Sequence, residues 1–521
     1  MKPKVSDQDI GLPDADEFHL AMTSSVRQQI VSWLHGEEAA NAFERGVMCV
    51  LTRSPGRRRL TYLIHEVISP EPGDVELTGG VEFSAGYRRR VKRCADEVGG
   101  GVLYLHTHPG GEGRPSRQDV EGGRRLLHND AQHLKHSNPP LAIGILTPEN
   151  KWMILGCEYP KGTNLSEGNP RYATAIRVVG KKFEKLKTYS GSKNTSGAAG
   201  AAGALDPETQ DRQIRLWTDA AQEAYAALRV GIVGLGGGGS ILAEHLARAG
   251  IDGLVLVDYD VVKNENLNRQ QGATAVDASV WQPKVDVAAR VARQAATNPT
   301  FDVEKLPRSV VEDDPDLSGY RELLDCDVIL HAADGHWTTQ VLDQIAYAHL
   351  IPVISGGTRP DITEAGTLKK TTKSPITVSS PGHSCFSCTR QFNVQKAEKV
   401  RHGGESPGPD YNLGGEDQVE AETEDGNDQP APSVISLNAI VAGLMHLRLQ
   451  DLTLGVTGHV LGERRFLPAA WDIVSGREAC RADCDREELT AAGQTHIFPL
   501  STDHKFKEIR AEVQARFTPY W

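Results

Sequence analysis

The residues with the plainest chemical meaning are two histidines and an aspartate. They stand in His106-Thr107-His108-Pro109 and, six residues on, in Ser116-Arg117-Gln118-Asp119. On a strand, residues two apart share a face, so both imidazoles can reach one metal ion. Zinc held by two histidines and one carboxylate keeps a fourth position open for water. Asp119, in the first turn of a helix opened by Ser116, supplies the carboxylate, and the Gly-rich run 110–115 lets the chain turn back to bring it there. Metal-activated water with a carboxylate base and an oxyanion donor nearby is the chemistry of amide hydrolysis. Each half has a bland reading: Ser-x-x-Asp is also a helix capping box, and His-x-His is ordinary on a polar strand. The joint spacing favours the metal.

Two further constellations stand apart from the first. Val233-Gly234-Leu235-Gly236-Gly237-Gly238-Gly239 sits between a strand-like and a helix-like run. Bare amides at a helix N-terminus cradle phosphate. Asp258, ending the next strand, suits a ribose hydroxyl. A Gly-x-Gly-x-x-Gly alone serves dehydrogenases equally well. Cys385-x-x-Cys388 and Cys480-x-x-x-Cys484 offer four thiolates, the donor set of a closed, structural zinc site.

The elements that must position these residues follow from periodicity. In the first 189 residues, 17–38 reads as helix, 46–51 and 60–68 as strands, 85–97 as helix and 102–105 as the strand leading into the histidines. Residues 116–135 read as helix, 141–146 and 152–155 as a hairpin around 148–150, and 172–186 as a closing helix. A Gly/Ala/Ser-rich stretch at 190–204 reads as a flexible linker, so the chain divides into 1–189, a linker at 190–205, and 206–521. In the last block, strands at 230–233, 254–257, 328–332 and 352–355 alternate with helices at 240–249, 284–296 and 337–349. That order predicts an α/β, Rossmann-like doubly wound sheet. The acidic, Gly- and Pro-rich stretch 401–432 reads as a long mobile loop.

Bulk composition sets outer limits. The chain has 521 residues, 39% apolar and 24% charged, with a net charge of −12. An acidic chain is a poor nucleic-acid binder, and Arg57-Arg58-Arg59 and Arg88-Arg89-Arg90 read as solvated faces. No run is apolar enough for a membrane span, and the N-terminus lacks a signal peptide. A cytoplasmic protein is expected. Its eight cysteines, two tight pairs among them, point to metal rather than disulfides.

The His106 to Asp119 pattern resembles the JAMM (JAB/MPN) signature of zinc isopeptidases, over roughly residues 18–189. The resemblance implies zinc on His106, His108 and Asp119, an oxyanion contact from Ser116, and a general-base glutamate on an early strand. Glu44 fits that place, whereas Glu37 and Glu38 stand too early and Glu66 too late. The second block resembles the ThiF/MoeB-type ubiquitin-activating enzymes, from about 206 to at least 454. The runs that carry this are Asp258-Tyr259-Asp260-Val261-Val262, Asn266-Leu267-Asn268-Arg269-Gln270, Asp211-Arg212-Gln213-Ile214, Pro283-Lys284 and Ala332-Ala333-Asp334-Gly335. By that resemblance ATP lies on Gly234, Gly236, Gly237, Gly239, Asn266 and Gln270, with its ribose on Asp258 and its phosphates on Arg269 and Lys284. Asp334 helps place Mg2+, and Arg212 reaches a partner's nucleotide in a homodimer. The four cysteines match a structural zinc site that the family carries.

The crossover stretch, about 392–434, lacks the nucleophilic cysteine of many activating enzymes. Either the chain stops at the adenylate or an oxygen such as that of Ser433 or Ser436 accepts the acyl group. The combined expectation is a two-activity enzyme like those of bacterial ubiquitin-like modification systems. It would adenylate a ubiquitin-like protein's C-terminus, act beside a conjugating-enzyme-like protein, and cleave modifier precursors or isopeptide bonds. Sulfur-carrier activation is the first alternative, a non-catalytic scaffold the second, and an NAD-dependent oxidoreductase a distant third.

Overall fold

Two clusters of buried apolar residues explain how the N-terminal region folds. In the strand Gly46–Pro55, Val47, Cys49 and Leu51 join one cluster, while Met48 and Val50 join the other. Alternation of this kind marks a strand covered on both faces. The computed structural model describes residues 15–35, 44–77, 80–108, 114–189, 205–314, 316–358, 360–403, 433–458, 462–495 and 500–517. The chain forms two compact units. The first comprises Met1–Ala199 with Ala348–Leu350 and Glu488–Ile497, and the second the remainder. The expected linker at 190–204 lies outside the described residues.

The first unit contains β1 (Glu17–Thr23), α1 (Ser24–His35), β2 (Gly46–Pro55), β3 (Arg59–Ile68), β4 (Val75–Leu77), β5 (Val81–Phe83), α2 (Ala85–Glu97), β6 (Gly101–Thr107), α3 (Arg117–His133), β7 (Leu141–Leu146), β8 (Trp152–Glu158), β9 (Asn169–Tyr172), β10 (Ala175–Val179) and β11 (Phe183–Lys187). Nine of these strands make one sheet, in the order β11-β10-β1-β3-β2-β6-β7-β8-β9. Ile30 and Leu34 of α1 cover one face, and Tyr87 and Val91 of α2 with Leu127 and Ala131 of α3 cover the other.

Two expected helices are corrected here. Residues 17–38 begin with a strand, not a helix. β1 pairs in parallel with both β3 and β10, and six of its seven residues are buried. A short apolar run gives little ground for choosing between the two, and central pairing decides it. The expected closing helix at 172–186 is instead the end of β9 followed by β10 and β11. The β-branched run Ala175-Ile176-Arg177-Val178-Val179 is wholly buried beside β1, so sheet pairing overrides the apparent helical period.

The second unit contains α4 (Pro207–Ile214), α5 (Asp219–Ala226), β12 (Arg229–Val233), α6 (Gly237–Arg248), β13 (Gly253–Val257), α7 (Ala275–Ser279), α8 (Lys284–Ala295), β14 (Asp302–Leu306), α9 (Tyr320–Leu323), β15 (Val328–His331), α10 (His336–Ala348), β16 (Val353–Gly356), β17 (Ser374–Ser379), α11 (Val394–Arg401), α12 (Ile435–Leu454), β18 (Arg464–Leu467), β19 (Asp472–Ser475), α13 (Arg486–Leu489) and α14 (His504–Phe517). Its sheet runs β14-β13-β12-β15-β16-β17-β18-β19. The first five strands are parallel and the last three join them antiparallel. Strand order reverses between β12 and β15, the crevice where such sheets bind ligands. Of the expected loop at 401–432, residues 404–432 lie outside the described residues.

No helix among the described residues is long and apolar enough to cross a membrane.

Candidate functional sites

The first site is built by one strand pair and one helix cap. β2 and β6 run antiparallel, with Gly46 opposite His106. The ladder continues past β2, because Thr107 donates its N–H to the Arg45 carbonyl at 2.9 Å and the Arg45 N–H donates to the Thr107 hydroxyl at 2.8 Å. Extending this register by one step sets Glu44 opposite His108. Period two then puts Glu44, His106 and His108 on the same face. It is the face shared by Met48 and Tyr104, the one α3 covers.

That packing brings α3's first turn to the histidines. Asp119 Oδ1 lies 3.3 Å from His106 Nε2, and Oδ2 lies 3.4 Å from His108 Nε2. The two Nε2 atoms are 3.3 Å apart. The capping box forms as well: Ser116 N–H donates to Asp119 Oδ2 at 2.6 Å, and Ser116 Oγ accepts from Asp119 N–H at 3.1 Å. The capping box and the approach of Asp119 to the histidines are compatible, since the cap aims the carboxylate. Burial pushes the Asp119 acid up, but hydrogen bonds from His106 and Ser116 outweigh it and hold it well below the usual carboxylate range. Three donor atoms within 4.8 Å of one another suit one ion. Pro109 and most of the expected turn at 110–115 lie outside the described residues, as do Glu37 and Glu38. Glu66 pairs with Val50, well along β2 from the histidines.

Sequence reasoning missed Trp33. Its indole N–H donates to the Gly46 carbonyl at 3.3 Å, and Arg45 Nη1 donates to the Trp33 carbonyl at 3.1 Å. The end of α1 is thereby tied to the strand end carrying Glu44. No spacing in the sequence announces that contact.

The second site lies at the crevice of the second unit. Gly234 follows β12 with φ +88°, and a Cβ there would lie 2.5 Å from Ala333 N. A Cβ on Gly239 would collide with the Gly234 carbonyl. Only glycine permits so tight a turn into α6, and the turn leaves backbone amides facing outward. Asp258, just after β13, accepts N–H bonds from Leu235 at 2.6 Å and Asp260 at 2.8 Å. Lys284, only 8% exposed, donates to Asp260 Oδ2 at 2.8 Å. Burial opposes the Lys284 ammonium, but Asp258 and Asp260 hold its pKa above the ordinary value. Burial keeps the Asp258 acid raised, partly offset by Lys284.

Asn266 accepts the Lys263 N–H at 2.9 Å, and Arg269 donates to the Glu265 carbonyl and to Asn268 Oδ1. Gln270 is 4% exposed, and both its amide atoms are buried without a partner among the described residues. A buried amide in that state calls for a partner, such as water or a ligand. Asp334 is exposed in the loop between β15 and α10, and Arg212 is exposed on α4. Asp260, as the partner of Lys284, went unread in the sequence, although its spacing from Asp258 was the available signal.

The four cysteines gather with all sulfurs within 4.8 Å of one another. Backbone N–H groups of Cys385, Cys388 and Arg481 donate to the sulfurs of Cys480, Cys385 and Cys388 at 3.2, 3.3 and 3.3 Å. The Cys385 side chain, working against burial, draws the Cys480 thiol down to about 5. Such donors stabilise thiolates, the form that binds metal. Asp343 of α10 braces both segments. It accepts the Phe386 N–H at 2.8 Å and the Arg486 guanidinium at 3.0 and 3.1 Å.

A doubly wound sheet with a glycine loop at its switch point and an acid after the second strand defines a nucleotide-binding α/β unit. Residues 210–481, more than half of the chain, match the ThiF family, and the chain belongs to that family. Molybdopterin-synthase adenylyltransferase of Escherichia coli (strain K12) is 36% identical over 135 residues, 26% of this chain and 51% of that protein. SAMP-activating enzyme E1 of Haloferax volcanii is 35% identical over 129 residues, 25% of this chain and 44% of that protein. tRNA threonylcarbamoyladenosine dehydratase of Bacillus subtilis is 34% identical over 185 residues, 34% of this chain and 67% of that protein. The chain spans about half the length of the first two.

Proposed function

We propose that this chain is a two-activity enzyme of a ubiquitin-like modifier pathway. Residues 206–521 adenylate the modifier's C-terminal carboxylate with ATP and Mg2+. Residues 1–189 form a JAB/MPN-type peptidase that trims the modifier precursor or cleaves isopeptide bonds, and 190–205 link the two. The observation that carries the reading is a three-donor cluster beside the start of β2 in the same chain as a glycine loop and a buried lysine.

In the first unit, His106, His108 and Asp119 hold zinc, which when bound supplies a Lewis acid and a water of lowered pKa. Glu44 takes the proton from the attacking water and returns it to the leaving amine. The Ser116 hydroxyl donates to the oxygen that gains charge. In the second unit, the loop glycines Gly234, Gly236, Gly237 and Gly239 let the nucleotide approach, and the amides of Gly237 and Gly238 with Arg269 and Lys284 hold the phosphates. Asp258 holds the ribose, Asn266 and Gln270 line the nucleotide, and Asp334 holds Mg2+. Positive groups around the α-phosphate favour carboxylate attack there. Cys385, Cys388, Cys480 and Cys484 hold a second, structural zinc. Arg212 serves the nucleotide of a second copy in a homodimer, and the activated modifier passes to a conjugating-enzyme-like partner.

The test is ATP–pyrophosphate exchange with a panel of small β-grasp proteins ending in glycine. Exchange that depends on one of them is expected, and its absence with all of them overturns the adenylation half. His108→Ala is expected to abolish cleavage of a linear modifier fusion while exchange persists. Sulfur-carrier activation is the second reading, favoured by the likeness to a molybdopterin-synthase adenylyltransferase. Mass spectrometry separates the two, because a carrier thiocarboxylate appears only in the second.

A further inference from the structure

The glycine loop has two sides. Asp258, Asp260 and Lys284 stand on the β13 side. On the other, α12 packs along α6, and Asn438 in the first turn of α12 is pressed against Gly237, the first residue of α6. A Cβ on Gly237 would collide with the Asn438 amide nitrogen. Asn438 is 6% exposed, and two hydroxyls fix its amide. Thr358 donates to its Oδ1 at 3.3 Å, and its Nδ2 donates to Ser433 Oγ at 3.1 Å.

Ser433 Oγ thus spends a lone pair on Asn438 and keeps its own proton. Among the described residues that proton has no acceptor. A half-buried hydroxyl that accepts from Asn438 and can itself donate, beside the positive end of a twelve-residue helix, suits an oxygen anion. The phosphates and ribose are provided for on the β13 side, and the α12 side remains for the acyl end of the substrate.

We propose that Asn438 is a positioning residue of the adenylation site: it holds the Ser433 hydroxyl at the rim of the glycine loop, where that hydroxyl hydrogen-bonds the carboxylate being adenylated. The ligand class is the C-terminal carboxylate of an extended chain. The inference rests on the adenylation reading.

A Gly-Gly chain joined to adenosine through a vinylsulfonamide tests it, since this probe sets an electrophile where the adenylate carbonyl would lie. On full-length protein, the Ser433→Cys variant should be labelled at position 433, and Ser436→Cys, which lies within the first turn of α12, should not. Adding Asn438→Ala to Ser433→Cys should slow labelling about tenfold, by loss of orientation, while the probe's affinity, read by competition with a fluorescent ATP analogue, stays unchanged. That split separates positioning from misfolding. No labelling of Ser433→Cys by a probe that still displaces ATP overturns the inference, as does equal labelling with and without Asn438. A probe that fails to displace ATP from the wild-type protein counts instead against the adenylation reading.

Discussion

The two clusters that could hold a metal ion differ in number of donors and in what holds them. The His106, His108 and Asp119 side chains are 14–18% exposed, whereas Cys385 and Cys388 are buried and Cys480 and Cys484 half-buried. Three donors leave a tetrahedral position free and four close it. The open cluster is assembled by features that need no metal: a strand ladder carries the histidines and a capping box carries the aspartate. The closed cluster joins two chain segments far apart in sequence, braced besides the sulfurs by Asp343. If the proposed metals are bound, the fold makes the first site, while the second site makes part of the fold.

The sharpest way to break that comparison is to remove one donor from each. Cys385→Ser is expected to destabilise the second unit by roughly 3–5 kcal/mol, or ~10 °C in Tm. His108→Ala should leave Tm within about 2 °C yet abolish hydrolysis and one equivalent of bound zinc. Calorimetry with metal analysis on both variants decides the matter. A large Tm loss in His108→Ala would show that the first site also supports its fold. Asp343→Ala, which strands the buried Arg486, should cost about 3–5 kcal/mol with all four sulfurs intact, if the brace shares the work.

A smaller effect sharpens the reading of the open site. Glu44→Gln keeps shape and removes the base, so kcat for cleavage should fall about 10²–10⁴-fold. Zinc content and Tm should hold. A loss of zinc would instead make Glu44 part of the metal's own shell. In the same region, Gly46→Ala places a Cβ 2.5 Å from Val81 Cγ1. Overpacking of that kind costs about 1–3 kcal/mol, and urea unfolding will show it.

What the sequence disclosed follows the same divide between spacing and pairing. The triad, the two cysteine pairs and the glycine loop are each local patterns, and the structure brings the triad together and joins the two cysteine pairs into one cluster. The strands of the second unit were legible because each alternates with a helix, and the parallel order follows from that. β1 and β10 were not legible. Their strand state comes from pairing with each other across more than 150 residues, which no window of neighbouring residues contains. Glu44 was readable as a position, but its register opposite His108 appears only once Arg45 and Thr107 exchange hydrogen bonds. Trp33 and Asn438 were missed because the groups they meet, Gly46 for the first and Gly237 and Thr358 for the second, come to them through tertiary geometry, not motif spacing.

The smallest expected effect concerns a histidine that does no metal work. His331 ends β15, is 2% exposed and meets the Thr339 hydroxyl at 2.9 Å. Burial pushes its pKa down to about 4, against roughly 6.5 in an unfolded chain. Between those values the unfolded protein takes up a proton that the folded protein refuses. Stability is therefore full above about pH 6.5 and falls as pH drops toward 4. His446, drawn down to about 4 by burial with His245 beside it, adds to the same window. His331→Gln retains a polar partner for Thr339 and removes one titrating group. Urea unfolding at pH 7.5 and 4.5 should show the variant's loss of stability across that interval smaller by roughly 1–3 kcal/mol. An unchanged interval would mean that water reaches His331 in solution, and β15 would then be less tightly sealed behind the glycine loop than its burial implies.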